Sequence, residues 1–384
     1  MKPLSQVVES TPGSGIRKFF DIVAQMHDVI SLGVGEPDFD TPWHVSEACV
    51  FSLERGKTHY TSNYGTPELR TAIADHYRTR EGLEYNWENQ ILITVGVSEG
   101  MDLVMRALLN PGDEVIVPEP CFVAYKPCVV FAGGVAVPVC SYVEDGFAVT
   151  PEKIEAAITP RTKAIFVSYP TNPTGAVASR ETLQKIVELA RKHDLYIISD
   201  EIYDRLTYDG QHTCVPALPG AYERTILLNG FSKAYAMTGW RIGYAAGPKP
   251  IIDAMMKIHS YTMMCAPIMA QVAALEAIKN GYDESEKMIE QYSQRRRVIV
   301  KGLNDVGLPC IMPGGAFYAF PSIKNTGLSA EEFCERLLFE EQVAAVPGNA
   351  FGECGEGHIR CSYATSLDKI GVAVERIGRF IAKL

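Results

Sequence analysis

Ala164-Ile165-Phe166-Val167, then Ser168-Tyr169-Pro170-Thr171-Asn172-Pro173-Thr174-Gly175, a polar stretch Arg180 to His193, and Tyr196-Ile197-Ile198-Ser199 followed by Asp200-Glu201-Ile202-Tyr203: this segment decides the fold. Its two short apolar, β-branched runs leave no polar residue for a wet face, so both read as strands buried on both sides. Between them Leu183, Ile186, Val187 and Ala190 recur at the spacing of a single helical stripe. The pattern extends outward. Ile91–Val95, Glu114–Val117, Thr225–Leu228 and Ile242–Ala245 read as further strands. Ser98 to Leu109 reads as a helix with Met101, Leu103, Val104, Ala107 and Leu108 near one face, stopped by Pro111-Gly112-Asp113. Such alternation predicts an α/β fold, a large domain whose mainly parallel sheet is sandwiched by helices.

The last third changes character. A helix over Asp283–Asn304 carries Arg295-Arg296-Arg297, which reads as a solvated face. Gly314-Gly315-Ala316-Phe317-Tyr318-Ala319-Phe320 follows, then a helix near Ala330–Glu341, a strand at Val343–Val346 and a final helix from Leu367. These predict a smaller α+β domain. The first 45 residues, with Gly13, Gly15, Gly33, Gly35 and four prolines, read as an irregular arm. The expected division is 46–284 for the large domain, and 1–45 with 285–384 for the small one.

The chain of 384 residues carries 36 Lys and Arg against 46 Asp and Glu, a net charge of −10, which argues against nonspecific nucleic-acid binding. Its 47% hydrophobic and 21% charged residues exclude a disordered chain. The ten cysteines contain no Cys-x-x-Cys and no zinc-like spacing, so no metal is expected and all ten read as reduced, buried thiols. The N-terminus lacks a secretory apolar segment and no apolar run suits a membrane span, which predicts a cytoplasmic protein. No Gly-x-Gly-x-x-Gly occurs, which argues against a nicotinamide dehydrogenase.

Ligands of open α/β sheets bind beyond the C-terminal strand ends. There this sequence places Asn172, then Asp200 and Tyr203, then Asn229-Gly230-Phe231-Ser232-Lys233 with Arg241 eight residues on. Singly, each has a plain structural explanation: a cap for Asp200, an Asx turn for Asn172, an exposed Lys233. Together they meet the needs of one chemistry. A lysine that forms a Schiff base needs a depressed pKa, and an aspartate can keep a pyridine nitrogen protonated. Those are the requirements of a pyridoxal-phosphate site.

The string Gly230-Phe231-Ser232-Lys233-Ala234-Tyr235-Ala236-Met237-Thr238-Gly239-Trp240-Arg241-Ile242-Gly243 closely resembles the cofactor-lysine motif of class I/II aminotransferases, the fold-type I pyridoxal-phosphate enzymes. The resemblance continues through Ile30–Asp38, Tyr64-Gly65-Thr66-Pro67-Glu68-Leu69-Arg70, the Asn172 turn, Asp200–Tyr203 and Gly357-His358-Ile359-Arg360, nearly the whole chain.

That resemblance implies pyridoxal 5'-phosphate as cofactor and assigns roles. Lys233 would hold the cofactor and then move the substrate's α-proton, with Asp200 and Tyr203 as the other catalytic residues. Asp200 would pair with the pyridinium nitrogen, Asn172 and Tyr203 would bind the ring's 3-oxygen, and Phe122 would stack on the ring. Val97, Ser98, Ser232 and Arg241 would surround the phosphate, joined by Tyr60 from a neighbouring subunit, with Tyr64 competing for that role. Arg360 would grip the substrate carboxylate, with Gly35, Phe122 and Asn172 around it. Two positions depart from relatives: Gly230 stands where many have a phosphate-binding serine, and Ser98 where an aspartate-specific subgroup has lysine. The implied function is ping-pong transfer of the amino group of an L-amino acid, aspartate or an aromatic one, to a 2-oxo acid such as 2-oxoglutarate. The implied assembly is a homodimer with shared sites. A carbon–sulfur β-lyase on the same fold is the alternative.

Overall fold

The chain enters through a two-residue strand, β1 (Ile30–Ser31), and then builds seven strands: β2 (Ile91–Thr94), β3 (Glu114–Glu119), β4 (Val135–Cys140), β5 (Thr162–Ser168), β6 (Tyr196–Asp200), β7 (Thr225–Gly230) and β8 (Gly243–Ala246). This computed structural model describes residues 2–13, 26 and 28–384. The seven strands form one sheet in the order β2-β8-β7-β6-β5-β3-β4. All neighbours are parallel except β8, which runs antiparallel to β2 and β7.

Alternate side chains leave the sheet on opposite faces, and both faces are covered. Phe166, Ile198 and Leu228 join Met101, Val104 and Ile252 from the helices Gly96–Leu108 and Lys249–Thr262 on one side. Ile165, Val167 and Ile197 meet Leu183, Ile186 and Val187 of the helix Arg180–Lys192 on the other. That helix starts where the Ser179 hydroxyl accepts the Thr182 N–H at 3.0 Å. The fold is α/β, as the alternating runs require.

Beyond the long helix Tyr282–Asp305 lies the α+β part. Strands β9 (Tyr318–Ala319), β11 (Val346–Pro347) and β12 (Ile359–Ser362) form an antiparallel sheet in the order β11-β12-β9, while β10 (Val343–Ala344) pairs in parallel with β1. The helices Ala330–Glu341 and Leu367–Ile381 complete it.

Several expectations need correction. The strand read at Val343–Val346 is two strands, because residues 343–344 pair with β1 and residues 346–347 with β12. Strand β4 has no counterpart among the expected strands: Gly133, at φ +84°, turns the chain, and the strand begins at Val135. Arg295 and Arg296 are not solvated. Both are buried, at 2.6 Å from Asp38 and 2.7 Å from Asp209, so partners from distant segments let the helix turn charges inward. Two of the ten cysteines, Cys140 and Cys354, form a disulfide with Cα atoms 5.7 Å apart, and the other eight are free. Much of the arm, residues 14–25 and 27, lies outside the described residues; its described part includes a short helix, Gln6–Ser10. Among the described residues no helix is long and apolar enough to cross a membrane.

Candidate active site

Register places the polar strand ends side by side: Ser168 of β5 lies opposite Asp200 of β6, which lies opposite Leu228 of β7. They open into a pocket of about 500 Å³ lined by Gly35, Val97, Ser98, Phe122, Asn172, Asp200, Tyr203, Ser232, Lys233, Arg241 and Arg360. Eleven of the twelve residues singled out in the sequence therefore meet in one cavity, and Tyr60 does not. Tyr60 is 81% exposed, whereas the Tyr64 hydroxyl is held within its own chain by Asp253 Oδ1 at 2.9 Å, and burial pushes its pKa up to about 12.

Asp200 lines the pocket and is buried. Burial pushes its carboxyl up to about 6, against the pull of a hydrogen bond from the Tyr125 hydroxyl (2.8 Å to Oδ2) and one from the Ile202 N–H (3.1 Å to Oδ1). Lys233 Nζ donates to the Gly35 carbonyl at 2.6 Å. Burial, reinforced by the nearby Arg360 charge, lowers its pKa to about 8, so near neutrality a useful fraction is unprotonated amine. Arg360, on β12, is buried, and its donors reach neutral acceptors: NH1 to Asn172 Oδ1 at 2.9 Å and NH2 to the Gly33 carbonyl at 2.6 Å. Its Nε is buried without a hydrogen-bond partner among the described residues. Tyr203 and Tyr318 share a hydrogen bond at 2.8 Å, and Arg360 lies over the Tyr318 ring, 4.5 Å from its centroid.

The helix Gly96–Leu108 presents Val97 and Ser98 to the pocket in its first turn, where free N–H groups and the helix dipole favour an anion. Gly96 has φ +76°, and a Cβ there would fall 2.7 Å from an Arg241 nitrogen, so glycine lets the guanidinium lie against this turn. Arg241 donates to the Thr238 carbonyl at 3.0 Å and forms no ion pair among the described residues.

The sequence reading missed Tyr125, Tyr318 and Glu36, which also line the pocket. Tyr125 stands three residues after Phe122 at the start of a helix, and Tyr318 lies in the Gly314–Phe320 string; nothing local in either marks a partner 75 or 115 residues away.

A mainly parallel sheet whose strand ends carry a buried aspartate and a buried lysine of lowered pKa, facing two guanidinium groups that have no carboxylate partner among the described residues, defines a pyridoxal-phosphate enzyme of the aminotransferase fold. The chain matches the family Aminotransferase class I and II over residues 27–377 and belongs to it. It is 54% identical over 380 residues to YugH of Bacillus subtilis, which carries a provisional aminotransferase name, covering 99% of this chain and 98% of that one. It is 44% identical over 371 residues to the aspartate aminotransferase of Pyrococcus abyssi, covering 96% and 95%. Among solved structures, the Thermus thermophilus aspartate aminotransferase with maleate superposes with a TM-score of 0.94 at 43% identity, covering 99% of this chain and 100% of that one. The protein is an aminotransferase, a transferase of nitrogenous groups acting on amino and oxo acids, and its family uses pyridoxal 5'-phosphate. The relatives named here lend the carbon–sulfur β-lyase alternative no support.

The residues fit that cofactor. Asp200 is a buried carboxylate with only a hydroxyl and an N–H as partners, and it suits a pyridinium N–H. The helix turn with Arg241 suits a phosphate, and the Lys233 amine lines the same pocket.

Proposed function

We propose that the enzyme transfers the amino group of an L-amino acid to 2-oxoglutarate in two ping-pong half-reactions, with aspartate or an aromatic amino acid as donor. The observation that carries this reading is Arg360, a buried guanidinium meeting only neutral acceptors beside an amine of lowered pKa. A planar fork of donors suits a carboxylate, the group every amino and oxo acid shares.

When bound, pyridoxal phosphate supplies an electron sink for charge developing at the substrate α-carbon. The chain's residues do the rest. Asp200 holds a proton on the pyridine nitrogen, and Asn172 and Tyr203 donate to the ring's 3-oxygen. Phe122 covers the ring, while Val97, Ser98, Ser232 and Arg241 fix the phosphate. Lys233, unprotonated, holds the cofactor and then takes and returns the α-proton. Arg360 orients the α-carboxylate, with Gly35 and Asn172 beside it. The names of the relatives, aspartate aminotransferase and aromatic-amino-acid aminotransferase, support the donor class, and the maleate of the Thermus structure supports a dicarboxylate partner.

The assembly is read as a homodimer with shared sites. Tyr60, 81% exposed, supports it, because its side chain is free to reach a neighbouring subunit. Residues 46–284 would form the large domain, and 1–45 with 285–384 the small one. Eight free cysteines support a reducing, cytoplasmic setting.

Mixing the holoenzyme with an amino acid and no acceptor tests the reaction type. A transaminase shifts the cofactor spectrum once, in stoichiometric amount. Continuous release of ammonia and a 2-oxo acid would refute the proposal. A panel of amino acids with 2-oxoglutarate, scored by glutamate formed, identifies the donor.

A further inference from the structure

We propose that Cys140 and Cys354 form a reversible thiol–disulfide exchange site that sets how firmly the hairpin carrying Arg360 is held, with low-molecular-weight thiols and disulfides as its reagents. The consequence for catalysis rests on the reading of Arg360 as the carboxylate holder.

Cys140 is the last residue of β4, the edge strand of the large sheet, and Cys354 lies in the connection between β11 and β12. Val346 of β11 lies opposite Arg360 of β12, so the disulfide fastens the far end of the Arg360 hairpin to the sheet edge. The same connection touches the segment that presents Phe122: the Cys121 N–H donates to the Phe351 carbonyl at 2.9 Å. The covalent bond thus anchors to the sheet edge a connection that leads directly into Arg360 and is hydrogen-bonded to the residue before Phe122, both of which line the pocket.

The surroundings suit both redox states. Glu119 is buried, with Oε1 2.5 Å from Lys126 Nζ and Oε2 3.5 Å from Cys354 Sγ. In the dithiol the Cys354 S–H is a donor placed on Oε2; in the disulfide the carboxylate keeps Lys126. Gly352, at φ +120°, brings the connection against this carboxylate, since a Cβ there would fall 2.3 Å from Glu119 Oε2. Both cysteines are half-buried rather than sealed in the core. The other eight cysteines are free, so the bond sits in a chain otherwise kept as thiols, the setting in which a disulfide acts as a sensor.

Reduction proceeds by thiolate attack on one sulfur, breaking the S–S bond, and a second thiolate of the reagent resolves the mixed disulfide. Protein disulfide plus a dithiol gives two protein thiols plus the reagent's disulfide, two electrons and two protons passing to the protein. Oxidation by glutathione disulfide runs the other way and releases two glutathione thiols. Opening the bond loosens the hairpin end and weakens the hold on substrate carboxylate without touching Lys233 or Asp200.

The holoenzyme is equilibrated with dithiothreitol or with glutathione disulfide, alkylated, and its cysteines are mapped by mass spectrometry while the kinetics are measured. Cys140 and Cys354 should be protected as a linked pair in glutathione disulfide and alkylated in dithiothreitol, with the other eight alkylated after unfolding in both. The reduced enzyme should show an amino-acid KM higher by about fivefold or more, the scale of an ordinary coupling between sites. Its kcat should stay within about twofold, as expected when ground-state binding is what changes. Cys354→Ser, or Cys140→Ser should the first fail to fold, should show the reduced-form KM in both buffers. A pair that stays alkylatable in glutathione disulfide, or that resists dithiothreitol in the native holoenzyme, would overturn the exchange site. A pair that interconverts with an unchanged KM would overturn its coupling to the Arg360 hairpin, while the role of Arg360 is judged separately by its own substitution.

Discussion

Tyr125→Phe removes one oxygen, and the structure says what that costs. The Tyr125 hydroxyl donates to Asp200 Oδ2 at 2.8 Å and accepts from Ser168 Oγ at 2.9 Å, so its single proton is committed to the carboxylate. A hydrogen bond to a charged group contributes about 1.5–3 kcal/mol. At about 1.36 kcal/mol for each pH unit, its loss raises the Asp200 pKa by about one to two. Burial already holds that carboxyl at about 6, so in the variant it should titrate between about 7 and 8.

The sign follows from which form works. Only ionised Asp200 can pair with a pyridinium, and the ionised form exists above its pKa. At pH 7 the ionised fraction therefore falls from most of the wild type to between about a half and a tenth of the variant. The variant apoenzyme should bind pyridoxal phosphate more weakly there by about two- to tenfold, and more so toward pH 6. The ratio of the two dissociation constants should shrink toward unity above pH 9, where both carboxyls are ionised. Titrating apoenzyme with cofactor by absorbance from pH 6 to 9.5 measures that ratio directly, and dividing by wild type cancels the pH dependence of Lys233. A ratio that is large but flat across pH would refute the electrostatic argument and leave Tyr125 a packing residue.

Lys233→Ala should abolish both the visible absorbance of the holoenzyme and turnover; an unchanged spectrum would disprove the lysine assignment. Arg360→Ala should raise the amino-acid KM, by about 2–5 kcal/mol in binding, while the cofactor spectrum stays intact; an unaltered KM would sink the carboxylate role. Glu341 lies 2.6 Å from Lys383 and 3.0 Å from Arg379, and hydrogen bonding to Lys383 leads the effects that hold its carboxyl below the ordinary range. A depressed folded pKa stabilises above the unfolded value and is lost as pH falls through the folded one, so Glu341→Gln should cost about 1 kcal/mol at pH 7, with partners half-exposed, and less at about pH 3. Urea unfolding at the two pH values reads the difference.

What the sequence disclosed was whatever a short window contains. Buried strands such as Ile197-Ile198 and the helix with Leu183, Ile186 and Val187 carry their own periodicity, and the strand ends carry Asn172, Asp200 and Lys233 in plain view. What it hid depends on distant partners. Nothing within Arg295-Arg296-Arg297 announces Asp38 or Asp209, and without them three arginines on a helix belong in water. The Cys140–Cys354 bond spans 214 residues, and no spacing rule links such positions. Val343–Val346 reads as one strand because its residues are uniformly apolar; that its two halves pair with different sheets is decided by residues 30–31 and 359–360.

The same long-range logic explains how a chain of net charge −10 attracts anions. Buried Arg295 and Arg296 meet carboxylates, while Lys233, Arg241 and Arg360 converge on one pocket and form no ion pair among the described residues. Unneutralised charge in a recess of low dielectric focuses positive potential there whatever the total. The arrangement also couples binding to chemistry. After burial, the Arg360 charge is the largest influence lowering the Lys233 pKa. A substrate carboxylate on Arg360 cancels part of that field, so Lys233 becomes a stronger base when a substrate α-proton is there to be taken. In the free enzyme burial and Arg360 together raise the share of unprotonated amine, and bound substrate, by offsetting the Arg360 charge, makes that amine more willing to accept a proton.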